Sequence, residues 1–236
     1  MSEECPPGPA DPDQTGGHEA GTGPGVAGRA GLTESLRVEA FSDGVLAIVV
    51  TLLVLDLKAP SGGGVEQGLV SQWPAYVAYV ASFAYVGVIW VNHHFLFSRI
   101  RHVDAGVLWR NLFLLFAASV LPFPTAVVSS SFRVGNSADQ AVALVFYSGV
   151  AAAAVATWLA IFHYLARHPE LLHGADHAQF FAEERRRAWV GLAAYGTSAL
   201  VAFAVPQIAL ALMLVVPLFY AVTSNGGLQS PRWLRR

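Results

Sequence analysis

Several stretches of this chain stay apolar for close to, or beyond, the roughly 20 residues that carry an α-helix across a hydrocarbon core of about 30 Å. No other feature restricts the fold as strongly. Composition points the same way. Across 236 residues, 54% are hydrophobic and only 13% are charged, with a mean hydropathy of +0.48. A soluble domain of this length carries about 25% charged residues to wet its surface. The chain therefore reads as an all-α, polytopic membrane protein.

Six spans are predicted, at about 34–57, 73–98, 104–128, 138–166, 188–205 and 208–223. The last two are separated only by Pro206 and Gln207. Read as one helix, Val190 to Thr223 would be about 50 Å long at 1.5 Å per residue, which exceeds the membrane. A tight helical hairpin is the expectation. Residues 1–31 hold eight Gly and five Pro with no aromatic side chain, and are expected to be a disordered tail. Residues 32–225 form the six-helix domain, and 226–236 a short basic C-terminus. With six spans, twelve of the fourteen basic residues fall on the side of the two termini. Only Lys58 and Arg133 fall opposite. That partition predicts cytoplasmic termini in a plasma (inner) membrane.

Other classes recede. A net charge of -2 supplies no basic field for nucleic acid. The lone cysteine, Cys5, forms no intramolecular disulfide. Thirteen Arg against one Lys suggests a GC-rich bacterial source.

The first span carries the unusual chemistry. Arg37, Glu39, Ser42 and Asp43 stand immediately before an uninterrupted apolar run. Ionisable groups at a membrane boundary are costly and face protein or water. At about 100° per residue, Ile48, Leu52 and Leu55 lie within about 60° of one another, and Phe41 extends their stripe. Thr51 lies about 60° to one side of Ile48, and Asp43 about 140° away, toward neighbouring helices. Arg37 and Asp43 are about 120° apart and make no simple i,i+4 pair, so a second helix is expected to join their network. Candidate partners at similar depth are Asn92, His93 and His94 at the end of the second span, and Asn111 early in the third. Such contacts also serve as polar glue between helices, at about 0.6–2 kcal/mol each.

The pattern Arg37-x-x-x-Phe41-Ser42-Asp43, followed by Gly44-Val45-x-Ala47-Ile48-x-x-Thr51-Leu52-Leu53, resembles the first-helix signature of the lysosomal potassium channel family, transmembrane protein 175. Asn92-His93-His94 and Leu121-Pro122-Phe123-Pro124 resemble the second and third spans of its prokaryotic branch. The resemblance covers about residues 33–225. It implies a homotetrameric cation channel, permeable to K+ and free of cofactors, whose pore is lined by the first helix of each subunit. Ile48, Leu52 and Leu55 would form the constriction, with Thr51 linked to potassium preference. Arg37, Ser42 and Asp43 would hold the helix through the second and third spans. The chain has no TVGYG-like carbonyl filter, so selectivity would rest on a narrow apolar ring and partial dehydration.

Alternatives remain open on the residues alone. The apolar stripe can be ordinary core. His163, His168, His173 and His177, spaced by five, five and four, raise a His-ligated membrane metalloenzyme. Pro122 and Pro124 could break the third span as in a secondary transporter, but no matching half follows in the later spans. The run Glu183 to Arg187 reads as an anchor to anionic headgroups.

Overall fold

The computed structural model describes residues 24–60, 64–174 and 178–223. Eight α-helices follow one another: α1 Pro24–Val54, α2 Val65–Ser71, α3 Trp73–Phe97, α4 Ala105–Val120, α5 Pro122–Val134, α6 Ser137–Leu165, α7 Ala178–Ala202 and α8 Pro206–Thr223. The helix α1 begins at Pro24, inside the segment expected to be disordered, while 1–23 and the basic C-terminus lie outside the described residues. The short α2, between the first two spans, has no counterpart in the hydropathy reading; it is too brief and too polar to register there.

Four units among the described residues are long and apolar enough to cross a bilayer: α3, the α4–α5 pair, α6 and α8. The helices α1 and α7 bring the passes to six. Each carries charged residues before an apolar C-terminal stretch, at Arg37 to Asp43 in α1 and at Glu183 to Arg187 in α7. The third span is one path bent at Leu121–Pro122. Pro122 lacks the N–H that would continue the helical ladder, and there α4 yields to α5. The expected hairpin between α7 and α8 is present, turned at residues 203–205.

Local signals set the helix starts. Asp104 caps α4 by accepting from the Val107 N–H at 2.8 Å. Asn136 and Asp139 form a capping box at α6, with Asn136 Oδ1 accepting from Ala138 N at 2.9 Å and Asp139 N at 3.0 Å. The core is built with small side chains where helices cross. Ala78 and Ala81 of α3 and Ala151 and Ala154 of α6 are all 0% exposed, which lets backbones approach.

α1 packs on α3 and α4, α3 on α5 and α8, and α6 on α4, α5 and α7. The ends of the bundle fall into a near face, which carries Glu39, His94 and Asp104, and a far face, which carries Lys58 and Arg133. At the near face an isolated antiparallel bridge, Ile100 to Leu172, ties the α3–α4 loop to the α6–α7 loop.

Candidate functional site

The two sides of α1 differ in everything but their spacing. Ser35, Ser42, Leu46, Val49 and Leu53 recur at heptad intervals and are 0–5% exposed. Phe41, Ile48 and Leu55 recur every seven residues about 140° around the helix, and are 56%, 61% and 70% exposed. Leu52, at 43%, belongs to the same exposed stripe, as does Thr51, whose hydroxyl donates to the Ile48 carbonyl at 2.8 Å. Among the described residues no helix of the chain covers this stripe.

The buried side is held by a directed hydrogen-bond chain. Ser42 Oγ donates to the Val38 carbonyl at 2.9 Å, four residues back. The same oxygen accepts from Asn111 Nδ2 at 2.9 Å. Asn111 Oδ1 faces His93 Nε2 at 2.9 Å. Because the amide oxygen only accepts, His93 carries its proton on Nε2 and donates. Its other nitrogen, Nδ1, is buried without a partner among the described residues. The ring stacks on Phe97, with centroids 4.2 Å apart, and meets Trp158 edge-on. Ser42, His93 and Asn111 are 0%, 0% and 2% exposed, so α1, α3 and α4 are pinned together through three side chains sealed from solvent and lipid.

A second tie runs between α1 and α3 nearer the surface. Glu39 Oε1 pairs with His94 Nδ1 at 2.7 Å, and Asp43 Oδ1 accepts from Trp90 Nε1 at 2.9 Å. Glu39 and Asp43 are four residues apart on α1, as are Trp90 and His94 on α3. In antiparallel helices those repeats form two rungs in register. The helical step turns Asp43 toward a neighbouring helix but singles out neither Trp90 nor a partner for Glu39. The matched i,i+4 spacing on two antiparallel spans is the signal that would have found both.

The structure does not bring every expected residue into the network. Asn92 lies about 100° around α3 from His93 and lines a small cavity of about 30 Å³ with Tyr85, Trp158, Glu184 and Tyr220. Arg37 is exposed and has no hydrogen bond or ion pair among the described residues. It borders a hollow of about 520 Å³ with Phe41, Leu108 and Leu112, on the α4 flank of α1. On the opposite flank Asp43, Ala47 and Thr51 edge a groove of about 910 Å³, walled by Phe83, Gly87 and Trp90 of α3 and by Pro217 and Leu218 of α8. The histidines of the α6–α7 region form no group of three or more metal-ligating side chains among the described residues, and His177 lies outside them.

Comparison with known proteins places this geometry in company. The family model for the endosomal/lysosomal potassium channel TMEM175 matches residues 37–122, which span the stripe, both polar ties and the bend at Pro122. A potassium channel of Streptomyces collinus is 37% identical over 192 residues, 80% of this chain and 92% of that protein. The endosomal/lysosomal proton channel TMEM175 of Mus musculus is 32% identical over 183 residues, 71% of this chain but 35% of that longer protein. The crystal structure of a lysosomal potassium-selective channel TMEM175 homolog from Chamaesiphon minutus superposes with a TM-score of 0.70 at 30% identity, covering 82% of this chain and 99% of that one.

Proposed function

The chain belongs to the TMEM175 family of cation channels, and from that premise we propose that it is a potassium-permeable channel in which four copies line a central pore with α1. The observation that carries the reading is the uncovered stripe. Ile48 and Leu55 are more than half exposed, on a helix whose other face is sealed. Leu52 completes the ring-forming set, and Phe41 continues it toward the near face. Four such stripes turned to one axis make a hydrophobic constriction that passes ions only when wetted. Selectivity in such a pore comes from its narrowness and from partial dehydration, with Thr51 as the nearest polar group. The bacterial relative that the chain covers almost fully is named a potassium channel, whereas the animal relatives named proton channels are matched over 21–39% of their length.

The remaining features serve assembly. The hollow beside Arg37 and the groove bordered by Asp43 and Thr51 flank α1 on its two sides, where neighbouring subunits of a ring would pack. Arg37, without a partner among the described residues, is placed to find one across such a contact. The Ser42–Asn111–His93 chain keeps the angle of α1 fixed, so the stripe stays aimed at the axis. Conduction needs no covalent chemistry, no cofactor and no metal. The chain would sit in a bacterial plasma membrane with both termini cytoplasmic.

Planar-bilayer recording of the purified protein, with potassium and sodium on opposite sides, tests this reading. Unitary currents with a modest preference for potassium are expected. Saturable exchange flux without unitary currents would replace the channel with a transporter.

A further inference from the structure

The partition of basic residues leaves two on the far face, 75 positions apart in sequence, and the fold brings both to one place. Lys58, just beyond the end of α1, and Arg133, in the last turn of α5, line a pocket of about 230 Å³ with Asp56, Ser129 and Ser130. Among the described residues neither cation closes an ion pair with Asp56 or with any other acid. The hydroxyls of Ser129 and Ser130 also make no hydrogen bond there. The pocket is therefore three separated charges around a polar hollow, not a neutralised cluster. Its position is specific. Asp56 follows Leu55 directly, and a 3₁₀-like turn, with the Asp56 N–H donating to the Leu53 carbonyl at 3.4 Å, carries the last turn of α1 into it. Leu55 is on the exposed stripe and Leu53 on the buried face, so the chain at this point divides its side chains between the axis side and the interior.

We propose that Asp56, Lys58 and Arg133 form an electrostatic collar at the far mouth of the pore, which sets how fast monovalent cations enter from that side. The inference rests on the pore reading above. Consecutive Cα atoms are about 3.8 Å apart, so the collar begins within half a Debye length, about 8 Å at 0.15 M salt, of the last constriction residue. One carboxylate and two cations leave each chain a single positive charge, and four chains around an axis leave four. Asp56 is thus the one group of the collar that attracts cations, and Lys58 and Arg133 hold their local concentration down. No other charged side chain lines this pocket.

Unitary conductance measured against salt concentration tests the collar. Removing the carboxylate with Asp56→Asn adds one positive charge per chain. At about 10 Å and 0.15 M salt, four such charges lower cation entry about twofold. The double variant Lys58→Gln with Arg133→Gln, on exposed side chains, is expected to raise it by at least as much. Both effects should appear only for current entering from the far face and fade in 1 M salt, where the screening length is about 3 Å. A displaced loop would not respond to salt in this way. Conductance equal to that of the unaltered protein at low salt in both variants, or changes that persist in 1 M salt, would overturn the proposal. If the unaltered protein passes no unitary current at all, the pore reading itself fails, a result distinct from a conducting pore that ignores the collar.

Discussion

The two faces of α1 share a heptad spacing and an almost equal complement of large aliphatic side chains, yet one is sealed and the other is bare. The sealed face mixes Leu46, Val49 and Leu53 with Ser42, and the polar group is what makes its contact specific. Lipid tails are as apolar as leucine, so aliphatic side chains alone give a helix little reason to prefer protein over membrane. Asn111 supplies that reason by bonding Ser42 on one side and His93 on the other. The bare face offers Phe41, Ile48, Leu52 and Leu55, with the exposed Arg37 at its near end and Thr51 as the one hydroxyl between Phe41 and Leu55. In the membrane-embedded part of this helix, buried polarity marks where it is fixed within the chain, and the proposed pore reading takes the apolar face as the one turned to an axis.

The sharpest way to break the contrast is at the bridging amide. Asn111→Ala removes two hydrogen bonds and leaves Ser42 and His93 buried without that partner, a penalty of about 1–3 kcal/mol per orphaned group in soluble proteins and nearer 0.6 in membranes. A loss of about 2 kcal/mol, some 30-fold in the folding equilibrium, is expected in reversible denaturant titration of the purified protein. Unchanged stability would mean that the directed chain is incidental to packing. Leu52→Asn tests the other face. Leu52 is 43% exposed and lies outside the buried core, so the stability of the protomer should stay within about 0.5 kcal/mol. Potassium current should rise about tenfold, the equivalent of lowering a dewetting barrier by about 1.4 kcal/mol. Equal currents, or a destabilised protein, would put Leu52 in a packed core instead.

A smaller effect belongs to the outer tie. Trp90→Phe keeps the ring but deletes the N–H that reaches Asp43 at 2.9 Å. Because the contact is exposed, the expected cost is about 1 kcal/mol, near fivefold. The effect should vanish when Asp43 is already Ala, which has no side-chain acceptor, as a double-mutant cycle would read it.

Much of this arrangement was legible in the chain. Hydropathy alone gives six passes, and the 100° step puts Ile48, Leu52 and Leu55 on one stripe and turns Asp43 away from it. Which residue meets Asp43 was not legible, because pairing across helices depends on their relative register, and no local periodicity fixes that. Asn92 shows the same limit: beside His93 in sequence, it faces α6 and α7 because one residue on a helix is a 100° turn. The convergence of Lys58 and Arg133 is a third case. Hydropathy assigned both to one face, but only the packing of α5 against the end of α1 brings them to one pocket.

The smallest expected effect bears on Thr51, the one hydroxyl between Phe41 and Leu55 on the bare face. Thr51 spends its hydroxyl proton on the Ile48 carbonyl, so its oxygen lone pairs are left to point away from the helix backbone. An oriented dipole of that kind at four positions around an axis would stabilise a partly dehydrated cation modestly. Thr51→Val keeps the shape and deletes the dipole, and should lower the potassium-to-sodium permeability ratio about twofold, equivalent to about 0.4 kcal/mol. Thr51→Ser keeps the hydroxyl and loses the methyl, and should preserve the ratio. Reversal potentials under bi-ionic conditions separate the two. If the valine variant keeps the preference and the serine variant loses it, the methyl group and the width it sets are responsible, and selectivity belongs wholly to the apolar rings.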